Sequence, residues 1–167
     1  SVWNWYLLSE SVTDKVLLNI LSKKADYLDW DIVSSRISNM KDIDFGLLFE
    51  NTPGLAEHLD WSILNEDMPL PEILKFKDLQ NAVWDWNIIT KRFDTGFIVD
   101  NLAKYAQYWD WKIILNEKIN RSYVKDNLEH IKDSIADLES DTKEQCWKTI
   151  TSLYTPAELL ELSEQYN

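Results

Sequence analysis

The sequence predicts an all-α fold, an α-solenoid of about five to six short two-helix repeats with a period of about 25 residues. Three observations lead there. A Trp-centred motif recurs with anchors at positions 5, 30, 61, 86, 111 and 147, at intervals of 25, 31, 25, 25 and 36. Fixed periods between about 20 and 50 residues mark solenoids and arrays. Each full copy carries a helix-start signature. Strand signals are weak: alternating apolar and polar residues are rare, and there is no Asn-Gly or Asp-Gly turn.

The first helices follow from the motif: apolar, Asp or Asn, Trp, any residue, two aliphatics, then usually a polar residue. The copies are Trp3-Asn4-Trp5-Tyr6-Leu7-Leu8-Ser9, Leu28-Asp29-Trp30-Asp31-Ile32-Val33-Ser34, Leu59-Asp60-Trp61-Ser62-Ile63-Leu64-Asn65, Trp84-Asp85-Trp86-Asn87-Ile88-Ile89-Thr90 and Trp109-Asp110-Trp111-Lys112-Ile113-Ile114-Leu115. Trp147-Lys148-Thr149-Ile150-Thr151 is a degenerate sixth. Asn4, Asp29, Asp60, Asp85 and Asp110 stand at the N-cap, where a side-chain oxygen accepts free first-turn N–H groups and meets the positive end of the helix dipole. The residue before each cap and the fourth helical residue form a hydrophobic staple, as in Trp84 with Ile89 or Leu28 with Val33.

A second helix follows each first one. Thr13 or Asp14 precedes Val16, Leu17 and Leu18; Pro71 suits a first helical position before Ile73; Asp94 precedes Phe97 and Ile98; Ser122 precedes Val124, Leu128 and Ile131. Residues 16–25, 47–56, 72–81 and 97–106 fill the same slot. Extra length falls in residues 38–44 and 118–141. Thr155 and Pro156 open a last amphipathic helix.

No interior linker rich in Gly, Ser or Pro divides residues 1–167, so the chain reads as one helical-repeat domain. Its start at Ser1 without an initiator Met predicts a fragment of a longer protein. Of 167 residues, 17 are Lys or Arg and 29 are Asp or Glu, a net charge of −12. That excludes generic nucleic-acid binding, which needs a basic surface to displace counterions, and disfavours an anionic membrane. No apolar run reaches membrane-spanning length. The lone Cys146 forms no internal disulfide, which fits the cytoplasm without excluding secretion.

The copies resemble the short tandem Trp-Asp-Trp helical repeats of bacterial and giant-virus proteins, from Trp3 to about Thr151. In that group Asp-Trp is followed, after two variable residues, by Leu-Ser. Here that element stands as Leu8-Ser9, Val33-Ser34, Leu64-Asn65 and Ile89-Thr90. The resemblance implies an α-repeat with an interaction role and supplies no catalytic residue.

Little else in the sequence carries chemistry. His58 and His130 lack a ligand partner at helical spacing, and Cys146 lacks a nucleophile signature. The acidic groups at Asp26, Asp29 and Asp31, at Asp42 and Asp44, and over residues 137–141 lack the Gly and ligand spacing of a calcium loop. Three Gly cannot build a phosphate loop. No catalytic residue, cofactor or metal site is therefore expected. Trp5, Trp30, Trp61, Trp86 and Trp111 are expected to anchor the seams between repeats. Trp3, Trp84 and Trp109, with Tyr108, are expected to be partly exposed and to bind a partner, because Leu28 and Leu59 replace the Trp at that position. The function expected is a non-enzymatic protein-interaction or scaffolding module of a larger bacterial protein, with a basic protein partner. The alternative is a carbohydrate or other ligand-binding module using Trp and Tyr at the corners. An uncapped first repeat predicts dimer formation through that end.

Overall fold

The computed structural model describes residues 3–40, 43–79 and 81–165. Among the described residues all regular structure is helical and no strand occurs. The chain forms two compact units, Ser1–Asp85 and Trp86–Asn167.

The first unit holds α1 (Trp5–Ser11), α2 (Asp14–Lys24) with a 3-10 turn at Ala25–Tyr27, α3 (Trp30–Asn39), α4 (Phe45–Asn51), α5 (Leu55–His58), α6 (Trp61–Asp67) and α7 (Leu70–Lys75). The helices that open on an anchor Trp pack in series, α1 on α3 and α3 on α6. Their buried aliphatics, Val33, Ile37 and Leu64, join Leu17, Leu21, Phe45, Leu55 and Ile73 from the second helices in the core. Most of these helices are only six to eleven residues long. Isolated helices of that length are marginal in water, so packing of one face must hold them. Pro69 occupies the N-cap of α7, one step earlier than expected, and Pro71 falls in its first turn. Gly54 precedes α5 with φ +80°, a left-handed conformation that disfavours a Cβ.

The second unit holds α8 (Trp86–Arg92), α9 (Thr95–Asp100), α10 (Trp111–Ile113), a π-helical turn at Ile114–Lys118, α11 (Arg121–Asp126), α12 (Leu128–Ile135), α13 (Ser140–Ser152) and α14 (Pro156–Gln165). Again the Trp-opened helices pack in series, α8 on α10, and α13 then packs on α10. Ile89, Ile98, Leu102, Ile114, Val124 and Ile131 are fully buried.

Two expectations are corrected here. Asn120, not Ser122, caps α11: its side chain accepts the Tyr123 N–H at 2.8 Å. The degenerate sixth copy is not a corner. Trp147 lies in the interior of α13, which begins at Ser140, so no cap precedes it. Of the two stretches of extra length, 118–141 folds into α11 and α12. Within 38–44, Lys41 and Asp42 lie outside the described residues, as do Ser1, Val2 and Gln80. The acidic pair at Asp42 and Asp44 is thus described only through Asp44, which caps α4 by accepting the Leu47 N–H at 3.1 Å.

Candidate functional site: the Trp corners

The corner begins with its cap. Asn4 accepts the Leu7 N–H at 3.3 Å, Asp29 the Ile32 N–H at 3.2 Å and Asp110 the Ile113 N–H at 3.1 Å. Asp60 accepts the Ser62 and Ile63 N–H groups and the Ser62 hydroxyl, at 2.9, 3.4 and 2.5 Å. The Ser62 hydroxyl is the main reason that the Asp60 carboxyl is held below its ordinary range. Asp85 directly precedes α8, which opens at Trp86.

The polar residue four places after each anchor Trp reaches the next corner. The Asp29 N–H donates to Ser9 Oγ at 3.0 Å, the Asp60 N–H to Ser34 Oγ at 2.8 Å and the Asp85 N–H to Asn65 Oδ1 at 3.0 Å, all in the first unit. In the second unit the Asp110 N–H donates to Thr90 Oγ1 at 3.1 Å. All four acceptors are buried. A hydroxyl has both a donor and free lone pairs. Ser9 Oγ accordingly donates back to Trp5 O at 2.8 Å while it accepts from Asp29. Asn65 adds a second bond, donating to Val83 O at 3.1 Å. Asp29, Asp60 and Asp110 thus work twice: the carboxylate closes its own helix, and the backbone N–H ties that helix to the copy before. The series stops at Leu115, which is buried and has no acceptor. There the backbone leaves the α-path for the π-helical turn, closed by the Ile119 N–H on Ile114 O at 2.9 Å.

Ring contacts follow a similar rule. The anchor Trp meets a ring three residues before the next anchor: Trp5 stacks on Tyr27 at 5.3 Å, Trp30 on His58 at 4.8 Å, and Trp86 lies against Tyr108 at 5.1 Å. After the third anchor that position is Val83, and Trp84 takes over, edge-on to Trp61 at 5.0 Å. The indole N–H groups of Trp61 and Trp111 donate to Ala56 O and Ala106 O, both at 2.9 Å. His58 is therefore a stacking residue on Trp30. His130 is exposed on α12, where its carbonyl accepts the Ser134 hydroxyl at 2.7 Å.

The four residues expected to bind a partner differ in exposure. Trp109 is buried among Trp86, Phe93 and Tyr105 rather than partly exposed. Trp84 and Tyr108 are half-buried, and the Trp84 indole N–H donates to Phe76 O at 3.2 Å. Trp3 alone of the four is exposed. Where Leu28, Leu59 and Trp109 hold the variable position it is a packing position, which either apolar residue fills.

Two cations escaped the sequence reading. The Arg36 guanidinium on α3 donates to Ser9 O at 2.7 Å and Val12 O at 2.6 Å and pairs with Asp14 at 2.6 Å. Lys118 Nζ donates to Lys91 O at 2.7 Å and Phe93 O at 2.8 Å. Each closes the C-terminal end of the preceding copy's first helix, where unpaired carbonyls and the negative dipole end favour a cation. They stand six and seven residues after their anchor Trp, a recurrence too sparse to read from two copies.

Among the described residues no group of His, Cys, Asp and Glu has metal-binding geometry. Cys146 is buried on α13 and lines an open groove of about 600 Å³ together with Trp111, Lys112, Thr142, Gln145 and Lys148. Burial pushes its thiol up to about 11. At pH 8 a disulfide reagent is expected to modify it roughly a hundredfold more slowly in the folded chain than in urea, since the thiolate is the nucleophile. Equal rates would place the thiol in solvent.

The last helix is closed by a capping box. Thr155 Oγ1 accepts the Glu158 N–H at 3.4 Å, and the Glu158 carboxylate accepts the Thr155 N–H at 2.8 Å and meets Arg121. The Thr155 backbone N–H first, then the Thr155 hydroxyl and Arg121, hold the Glu158 carboxyl down at about 2. A depressed carboxyl stabilises the fold above its unfolded value and loses that contribution as pH falls through the folded one. Glu158→Ala is therefore expected to lower the melting temperature at pH 7, with the gap to wild type closing between about pH 4.5 and pH 2. A gap that persists at pH 2 would assign the effect to packing.

No family model matches this sequence, and no curated protein or solved structure matches it. No helix among the described residues is long and apolar enough to cross a membrane.

Proposed function

We propose that the chain is a non-enzymatic helical-repeat module whose motif copies stack within each unit as the steps of a solenoid, presenting an acidic surface to a basic protein partner. The observation that carries this reading is the recurrence of one junction: a buried Ser, Asn or Thr on one copy accepting the cap N–H of the next, three times in the first unit and once in the second. A motif that builds its own junctions is what a stack needs, because one copy cannot cover both faces of its helices. His58 and Cys146, two candidates for chemistry, have structural surroundings instead. The net charge of −12 supplies the selectivity, since complementary charge steers association and disfavours acidic partners. The sugar-binding alternative has less support, because Trp109 is buried and Trp84 is committed to Trp61 and Phe76.

The test is fluorescence anisotropy with a labelled oligo-arginine peptide and an oligo-glutamate control. Binding of the basic peptide is expected to weaken at least about tenfold between 25 and 500 mM salt, with no binding of the acidic one. Salt-independent binding, or none at low salt, would overturn the acidic-surface reading.

A further inference from the structure

The first copy differs from the later ones at two positions. Two residues before the anchor, Leu28 is 7% exposed, Leu59 6% and Trp109 4%, while Trp3 is 67% exposed. Two residues after the anchor, Ile32 and Ile63 are half-buried and Ile113 is buried, while Leu7 is 50% exposed. In the second, third and fifth copies the Trp-opened helix packs on that of the copy before: α3 on α1, α6 on α3 and α10 on α8. The cap N–H there donates to a polar residue of that preceding copy. Asn4 carries the equivalent N–H in the first copy.

We propose that Trp3, Leu7 and the Asn4 N–H form a docking face for a polypeptide carrying the same motif. Its bound element is a short helix that opens on Trp and carries Ser, Thr or Asn four residues later. The side chain at that place accepts the Asn4 N–H, and the aliphatic before it covers Trp3 and Leu7. The recognition is set by the junction already present inside the chain, so the partner class is a further copy of the motif rather than an arbitrary apolar helix. This rests on the stacked-copy reading above.

The test grafts a copy of residues 84–108 directly before Trp3 of the full chain, so that the grafted Thr90 falls in register with Asn4. The graft is expected to raise the unfolding midpoint in a single transition. It is also expected to shield Trp3 from acrylamide, measured as the difference between each chain and its Trp3→Phe form. Thr90→Val within the graft should lower the gain. A graft that leaves Trp3 quenching unchanged, or that is digested away at the wild-type midpoint, overturns the proposal. So does a wild-type dimer that Leu7→Asp dissociates, because a second copy of the outer face would then be the occupant. Asn65→Leu of the ungrafted chain is measured in parallel. If it destabilises while the graft fails, only the docking face is lost; if it has no effect, the stacked-copy reading itself is lost.

Discussion

Asn65→Leu is expected to destabilise the chain by about 1–3 kcal/mol, because it removes the two hydrogen bonds of a buried amide, each worth about 0.5–1.5 kcal/mol, at nearly constant side-chain volume. Asn65 is 3% exposed on α6. It accepts the Asp85 N–H at 3.0 Å and donates to Val83 O at 3.1 Å. Leucine can do neither. Urea titration should show a lower midpoint with an unchanged slope. Asn65→Asp keeps the acceptor and should retain more stability than Asn65→Leu. A loss below about 0.5 kcal/mol for the leucine variant, the range of ordinary surface substitutions, would mean that these bonds contribute nothing.

The second large effect separates the Trp residues from one another. Trp111→Ala is expected to cost about 3–5 kcal/mol, as large-to-small substitutions of buried aromatics do. The ring is 4% exposed and its N–H is bonded to Ala106 O at 2.9 Å, so the variant opens a void and orphans a carbonyl. Trp3→Ala, by contrast, is expected to stay within about 0.5 kcal/mol, since the ring is mostly in water. Equal costs would show that the motif's two Trp positions are energetically equivalent.

The corners were legible in the sequence because their determinants are local. An Asp or Asn before a Trp, with aliphatics at the third and fourth helical places, states both the cap and the buried face within seven residues, as in Asp60 to Asn65. The last helix was legible for the same reason at Thr155 and Glu158. The start of α11 was missed because Ser122 and Asn120 are both good caps, and only the backbone path decides between them. Exposure at the variable position was misjudged for Trp109. Alternation of Trp with Leu signals tolerance of size, which a packed site and a surface site share, and the deciding neighbours Phe93 and Tyr105 lie outside the seven-residue motif. The polar residue at the end of the motif was visible as a recurrence, but its role was not. Ser, Asn and Thr differ in shape, and the donor to their shared acceptor oxygen lies 20 to 26 residues away. Trp147 misled for the converse reason, because a Trp followed by an aliphatic recurs by composition when no cap precedes it.

The most direct measurement is amide hydrogen exchange on the intact chain, read at the N–H groups of Asp29, Asp60, Asp85 and Asp110. None of these four bonds belongs to a helix ladder; each depends on a side chain of the preceding copy. Protection by about a thousandfold or more is expected at all four, approaching that of the buried helices, because opening them requires a buried side-chain acceptor to withdraw. Exchange as fast as in an unprotected peptide at these positions, with the helix interiors still protected, would contradict the account: the copies would then be held by apolar burial alone.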